Sequence, residues 1–105
     1  MMESRIDTRY NQPLIEMIRH RGLKRLYERG DASKLRADQV KRIEDVLAHL
    51  DMAAKPSDVD LPGYRLHRLK GDLKDAWSIS ISGNWRVIFR FDNGDAFDVD
   101  LVDYH

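Results

Sequence analysis

The sequence predicts an α+β domain: a strand, two helices, then a four-stranded, mostly antiparallel meander, with the helices packed on one sheet face. Two observations lead to this prediction. A stripe of apolar residues spaced by three and four lies in the first half of the chain, and strict alternation of apolar and polar residues follows Gly63. The 105 residues suit one domain, which we place at residues 14–105 after a loose extension, residues 1–13.

The first half of the chain carries the predicted first strand and both helices. The apolar run "LIEMIR" (14–19) predicts a strand, and "LKRLYER" (23–29) predicts a short helix that Gly30 stops. The longest helix should span residues 37–52, because its apolar residues share one face. They are Val40, Ile43, Val46, Leu47 and Leu50.

The second half predicts four strands joined by short turns. Alternation places strands at "YRLHRLK" (64–70), "WSISIS" (77–82), "WRVIFRF" (85–91) and "AFDVDLV" (96–102). The turn signals "SGN" and "DNGD" separate the last three strands, as in an antiparallel meander.

Each strand should present one apolar and one polar face. The apolar face, which the helices should cover, carries Trp77, Ile79, Ile81, Trp85, Val87, Phe89, Phe91, Phe97, Val99 and Leu101. The opposite face carries Ser78, Ser80, Arg86, Arg90, Asp98 and Asp100. So much charge predicts a solvated face, on which a polar ligand would lie.

Composition excludes several classes of protein. Cysteine is absent, so disulfide frameworks and thiolate chemistry are excluded, and neither a membrane-length apolar run nor a signal-peptide pattern appears. The net charge of zero argues against tight, purely electrostatic binding to free nucleic acid.

Charge is nevertheless uneven along the chain. Residues 16–42 hold nine basic and four acidic side chains, residues 65–90 hold six and two, and residues 92–103 hold five aspartates and no base. This pattern fits either a basic binding face or ordinary solvated surface.

Two strand residues are candidates for chemistry. If Leu66 points to the core, His67 points to the polar face, although a single histidine there is more often structural. Arg86 lies mid-strand on the same face. Its guanidinium suits either bidentate phosphate binding or pairing with Asp98 or Asp100 on the next strand.

Further candidates lie in a turn and at the chain end. Lys70 begins a charged turn, and the sequence closes with Asp103, Tyr104 and His105. With His67 and Arg86, these groups supply what metal-independent RNA cleavage requires: proton transfer and cations beside a phosphate. Asp103 and His105 can join Tyr104 on the polar face only if the last strand ends or bulges near Val102, which we predict.

The combined motifs resemble the HigB-type toxins of the RelE superfamily. The similar stretches are "HRGLKRLYERG", "LPGYRLH", "LKGD", "NWR", "GDA" and the terminal "DYH", which together cover about residues 14–105. The resemblance implies a fold related to microbial ribonucleases. It also implies a toxin of a type II toxin–antitoxin pair that cleaves mRNA in the ribosomal A site.

The resemblance also implies site residues and partners. The family's catalytic histidine falls on His67, its turn lysine on Lys70, its strand arginine on Arg86 and its terminal trio on residues 103–105. We add RNA contacts at Arg65, Arg68 and Lys74. The implied partners are the ribosome with its mRNA and a helix-turn-helix antitoxin of the HigA type, through which operator DNA is reached indirectly. We expect no cofactor, no metal and no membrane, and a cytoplasmic location.

Two other hypotheses remain open. One is a weak or inactive homologue that only binds an antitoxin or RNA, which the neutral charge favours slightly. The other is a general ribonuclease that acts on naked RNA.

Overall fold

The structure is a computed structural model that describes residue 15 and residues 17–103. Helices α1 (Arg21–Arg29) and α2 (Val40–Met52) precede strands β1 (His67–Arg68), β2 (Trp77–Ser82), β3 (Trp85–Asp92) and β4 (Asp95–Asp103). The strands form one antiparallel sheet in the order β1-β2-β3-β4. The predicted α+β fold is therefore confirmed.

Both helices begin and end where local chemistry favours it. α1 starts where His20 Nδ1 accepts the backbone N–H of Leu23 at 3.1 Å, and it ends at Gly30, whose φ of +71° is left-handed. A single 3₁₀ turn at Ala37–Gln39 leads into α2. In the described part of the chain, no helix has the length and hydropathy to cross a membrane.

The main core lies between the helices and one face of the sheet. From α2, Ile43, Val46, Leu47 and Leu50 are buried, as their spacing predicts. They meet Ile79, Val87, Phe89 and Val99 from the sheet, which are all 0% exposed. Burial of this apolar surface is the main stabilising contribution of the fold.

The predicted first strand is reduced to a short parallel contact. Of its described residues, Ile18 forms a bridge with Val99 of β4. The N–H of Arg19 donates to the Val99 carbonyl at 2.7 Å, and the Val99 N–H donates to the Met17 carbonyl at 2.8 Å. This contact adds the segment before α1 to the edge of the sheet next to β4.

The strand predicted at 64–70 is also shorter, since β1 holds two residues. Hydrogen bonds on either side keep the chain beside β2. The Ser80 N–H donates to the Tyr64 carbonyl at 2.8 Å, and the Leu69 N–H donates to the Ala76 carbonyl at 2.9 Å. The whole segment therefore borders β2.

A bulge in β4 overturns one core prediction. Ile88 pairs with Asp100 and Arg90 pairs with Phe97, so two β4 residues oppose Phe89. The first of the two, Asp98, has a left-handed φ of +56°. The extra residue shifts the alternation by one, so Phe97 shares the face of Arg90 and is only half-buried.

Ala96, at 1% exposed, takes the core position expected for Phe97.

The opposite, open face is less solvated than predicted. Ile88 is 7% exposed and Ser78 is 4% exposed on that face. The segment between β1 and β2 covers Ile88 through a second, smaller apolar cluster of Leu69, Ala76 and Ile88 with Leu73 and Val102. The expectation of a fully solvated face is therefore wrong at Ser78, which is largely buried.

Candidate active site

A cleft of about 560 Å³ opens on the face of the sheet opposite the helices. Its described lining consists of Arg65, Leu66, His67, Leu69, Ser78 and Arg86. Three of these six side chains are an arginine or a histidine, and none is a carboxylate. Such a lining favours an anionic ligand.

His67 reaches the cleft because of the alternation within β1. Leu66 packs against the main core, which turns the exposed His67 side chain to the opposite side, as predicted. In the register, His67 lies directly across from Ser78 of β2. Side chains at such paired positions are neighbours on one sheet face, so the imidazole stands over the floor of the cleft.

Arg86 enters the cleft from β3. Its Nη1 donates to the carbonyls of Gly83 at 3.0 Å and Trp85 at 3.3 Å, and to Ser80 Oγ at 3.4 Å. All three acceptors are neutral. These bonds hold the half-buried guanidinium in place without cancelling its charge.

The alternative of pairing Arg86 with Asp98 or Asp100 is not realised. Asp98 instead accepts from Arg90 Nη1 at 2.8 Å and pairs with Arg19 Nε. Among the described residues, no carboxylate lies within salt-bridge distance of Arg86. Its positive charge thus remains available to a ligand.

Arg65 occupies an unusual backbone position beside the cleft. Its φ of +54° is left-handed, which is uncommon for a residue with a side chain. The preceding residues are held by Arg42 of α2, which donates to the Ser80 carbonyl from Nε at 3.2 Å and from Nη2 at 3.0 Å, and also to the Gly63 carbonyl. The Arg42 guanidinium stacks 4.7 Å from the Tyr64 ring centroid.

This arrangement, the Arg42 clamp, keeps Tyr64 enclosed. Burial raises the pKa of the Tyr64 phenol, while the nearby Arg42 charge acts in the opposite direction. The neutral hydroxyl contacts His49 Nδ1 at 2.9 Å. The sequence carries no signal for the clamp, because Arg42 is 21 positions from Gly63 and 38 positions from Ser80.

The other predicted cations lie outside the described lining of the cleft. Lys70 precedes the 3₁₀ turn Gly71–Leu73 and Lys74 follows it, and both are exposed. Arg68 pairs with Asp75 at 3.0 Å and stacks 5.8 Å from the Trp77 ring. The structure therefore brings His67, Arg86 and Arg65 together in the cleft. The other three predicted cations, Arg68, Lys70 and Lys74, are not part of its described lining.

The last described residue, Asp103, ends β4, which pairs with β3, the strand that carries Arg86. Val102 pairs with Arg86 and Asp103 pairs with Trp85, so the pairing is regular up to the last described residue, and the bulge in β4 lies earlier, at Asp98. The predicted end of the strand near Val102 depends on residues that lie outside the described part of the chain, so it stays a prediction. Asp103 is exposed, and the predicted Tyr104 and His105 lie outside the described residues.

Chemically, the cleft combines the His67 imidazole with the guanidinium groups of Arg65 and Arg86 over a partly apolar floor. A guanidinium without a carboxylate partner binds phosphate oxygens well, and an imidazole transfers protons near neutral pH. This combination suits phosphoryl chemistry on a nucleotide chain better than recognition of a neutral ligand.

Comparisons with known proteins agree with this chemistry. Residues 16–105 match the family model described as the RelE-like toxin of the type II toxin–antitoxin system HigB. The chain is also 42% identical over 92 residues to the Endoribonuclease HigB of Proteus vulgaris. That alignment covers 88% of this chain and 100% of the relative.

Proposed function

Because this chain belongs to the HigB-like, RelE-like toxins of type II toxin–antitoxin systems and is an endoribonuclease, we propose that it inhibits translation by cutting mRNA in the ribosomal A site. The proposed chemistry needs no metal: the ribose 2′-OH attacks the adjacent phosphate. The P–O5′ bond breaks, which leaves a 2′,3′-cyclic phosphate and a 5′-hydroxyl.

One observation carries this proposal: Arg86 lines the cleft with His67 and pairs with no carboxylate in the described part of the chain. Arg86 is bound by neutral acceptors, so it meets the phosphate as a full cation. Negative charge grows on the non-bridging oxygens as the 2′ oxygen attacks. A cation already held in place stabilises that charge without reorganising, which lowers the barrier.

Proton transfer requires two groups, one for the 2′-OH and one for the departing 5′ oxygen. We assign one role to His67 and the other to the chain end, where His105 acts with Asp103 assisting and Tyr104 near the 2′-OH. The regular pairing of Val102 with Arg86 supports this assignment, since it brings the last described residues to the strand that carries Arg86.

Lys70, Arg65, Arg68 and Lys74 contribute at the periphery in this proposal. Lys70 adds charge near the phosphate, and the other three contact the RNA on either side of it. Arg68 gives up part of this role to its ion pair with Asp75. A chain with zero net charge binds free RNA weakly, so the ribosome is proposed to present the message.

The family implies an antitoxin partner. We propose a helix-turn-helix antitoxin that contacts operator DNA itself, so that the toxin reaches DNA only indirectly. We further propose that the toxin acts in the cytoplasm, where translating ribosomes are found.

The test is cleavage of mRNA on programmed ribosomes by the wild type and by His67→Ala and His105→Ala, with 5′ ends mapped. Each variant should cleave about 10²- to 10⁴-fold more slowly, the contribution typical of a positioned acid or base. His67 is exposed, so stability should not change. Lys41→Ala, which removes an exposed cation on the helical side, is the control and should cleave normally.

Wild-type cleavage rates in both histidine variants would contradict the proposal and favour a protein that only binds. Equal cleavage of naked RNA and ribosome-bound mRNA by the wild type would identify a general ribonuclease.

A further inference from the structure

The floor of the cleft contains one polar side chain that the mechanism above does not use. Ser78 is the second residue of β2 and pairs with His67 of β1 on one side and with Ile88 of β3 on the other. It lines the cleft, yet the residue as a whole is only 4% exposed.

The Ser78 hydroxyl has no hydrogen-bond partner among residues 15 and 17–103. In the same part of the chain, every fully enclosed polar side-chain atom has a partner. The Ser78 oxygen must therefore open onto the cleft rather than lie sealed beneath it. The hydroxyl can therefore form a hydrogen bond with a ligand bound in the cleft.

Two other serines of β2 differ from Ser78 because their hydroxyl groups have hydrogen-bond partners. Ser80 Oγ accepts from Arg86 Nη1 at 3.4 Å, and Ser82 Oγ accepts from Gln39 Nε2 at 2.9 Å. Leaving a largely buried hydroxyl unpaired is unfavourable. Ala76 and Ile88 show that apolar side chains fill this surface, so packing alone does not require a serine there.

We propose that the Ser78 hydroxyl binds the substrate RNA by donating a hydrogen bond to a non-bridging oxygen of the phosphate that is cleaved. The proposal rests on the proposed RNA cleavage. The described lining around Ser78 offers Arg65, His67 and Arg86 but no carboxylate, so the group that enters is anionic. A hydroxyl turns its hydrogen toward an anion, and such bonds are stronger than neutral ones.

The bond should strengthen as the phosphate gains charge. Ser78 therefore acts more on the cleavage step than on binding, because an interaction that is stronger in the transition state raises the rate. Ser78 differs in this from Arg65, Arg68 and Lys74, whose proposed contacts hold the RNA equally before and during the reaction.

The experiment compares Ser78→Ala with the wild type on programmed ribosomes under single-turnover conditions. The cleavage rate should fall about 10- to 100-fold, the loss expected for one hydrogen bond to a charged group. Affinity for a message with a 2′-deoxy sugar at the cleavage position should change little. Unfolding stability should stay equal or rise, because alanine fills the same space without an unpaired hydroxyl.

Ser82→Ala is the matched control, on the same strand but bonded to Gln39 away from the cleft. It should lose stability and keep its cleavage rate. A phosphorothioate at the cleaved linkage gives a second readout. Sulfur accepts hydrogen bonds poorly, so one stereoisomer should slow the wild type more than it slows Ser78→Ala.

The outcomes separate the two proposals. If the wild type does not cleave ribosome-bound message, the proposed function fails. If the wild type cleaves and Ser78→Ala matches its rate, or if Ser78→Ala and Ser82→Ala slow cleavage alike, the Ser78 inference is overturned and the proposed function stands.

Discussion

The two faces of the sheet are built from the same strands but differ in how their side chains are satisfied. On β3, Val87 and Phe89 point toward the helices and are 0% exposed, whereas Arg86 on the open face is half-buried and bonded to neutral acceptors. The covered face is a continuous apolar core. The open face combines a small apolar cluster with a cleft in which the Arg86 charge and the Ser78 hydroxyl have no carboxylate partner and no hydrogen-bond partner, respectively, among residues 15 and 17–103.

This difference indicates that one side of each strand stabilises the fold and the other side binds the ligand. A continuous core stabilises the fold through buried apolar area, so the second face is free to keep groups that a ligand completes. Groups prepared for a ligand are usually unfavourable in the free protein. The covered face should therefore dominate stability, and the open face should dominate activity.

The largest expected effect comes from making the same substitution on both faces. Ile79→Ala should lower the free energy of unfolding by about 4 kcal/mol and Ile88→Ala by about 2 kcal/mol. Ile79 is 0% exposed in the main core, while Ile88 lies in the smaller cluster, whose partly exposed neighbours can close on the space. Urea unfolding followed by circular dichroism measures both. Equal losses would show that the open face packs as tightly as the core.

The Arg42 clamp connects the two faces and should give an intermediate effect. Arg42→Met should lower the free energy of unfolding by about 2 kcal/mol, since two carbonyl acceptors lose a charged donor. It should also slow RNA cleavage about tenfold, because the Gly63–Tyr64 backbone next to Arg65 is no longer held.

The control for the clamp is Arg36→Met, which breaks an exposed ion pair with Asp38 and should change stability by less than about 1 kcal/mol. If Arg42→Met is destabilised but cleaves at the wild-type rate, the clamp supports the core alone.

The smallest effect concerns a carboxylate on the helical side. Asp51 lies in a groove between α1 and α2 that Glu44 also lines, and burial raises its pKa, although the Tyr27 hydroxyl donates to it. A raised folded-state pKa means that the folded chain holds this proton more tightly than the unfolded chain. The resulting stabilisation is present at low pH and is lost as pH rises through the folded pKa.

Asp51→Asn keeps an acceptor for Tyr27 and removes this titration. At neutral pH the variant should be as stable as the wild type or slightly more stable, by less than about 1 kcal/mol.

Asp58 provides the opposite case, because its pKa is lowered, chiefly since the Ala54 N–H donates to it. Asp58→Asn should therefore lose stability at neutral pH, and this loss should shrink as the pH falls. Urea unfolding across pH 4–8 tests both. A difference in the free energy of unfolding between Asp51→Asn and the wild type that stays constant with pH would contradict the raised pKa of Asp51.

Much of the fold follows from local patterns in the sequence. The spacing of Ile43, Val46, Leu47 and Leu50 predicts α2 because a helix places such residues on one side, and the structure confirms it. Alternation predicts β2 and β3 for the same kind of reason, and it places His67 and Arg86 on one face. The motifs also identify the family, since they are short and local.

Tertiary structure alone decided the features that shape the cleft. Period-two alternation holds only while residues pair one to one, so the bulge at Asp98 moved Phe97 to the open face. Burial of Ile88 depends on the turn that packs over it, and the backbone next to Arg65 depends on Arg42 reaching across from α2. A sequence pattern records which face a side chain takes, but contacts between distant segments determine what surrounds it.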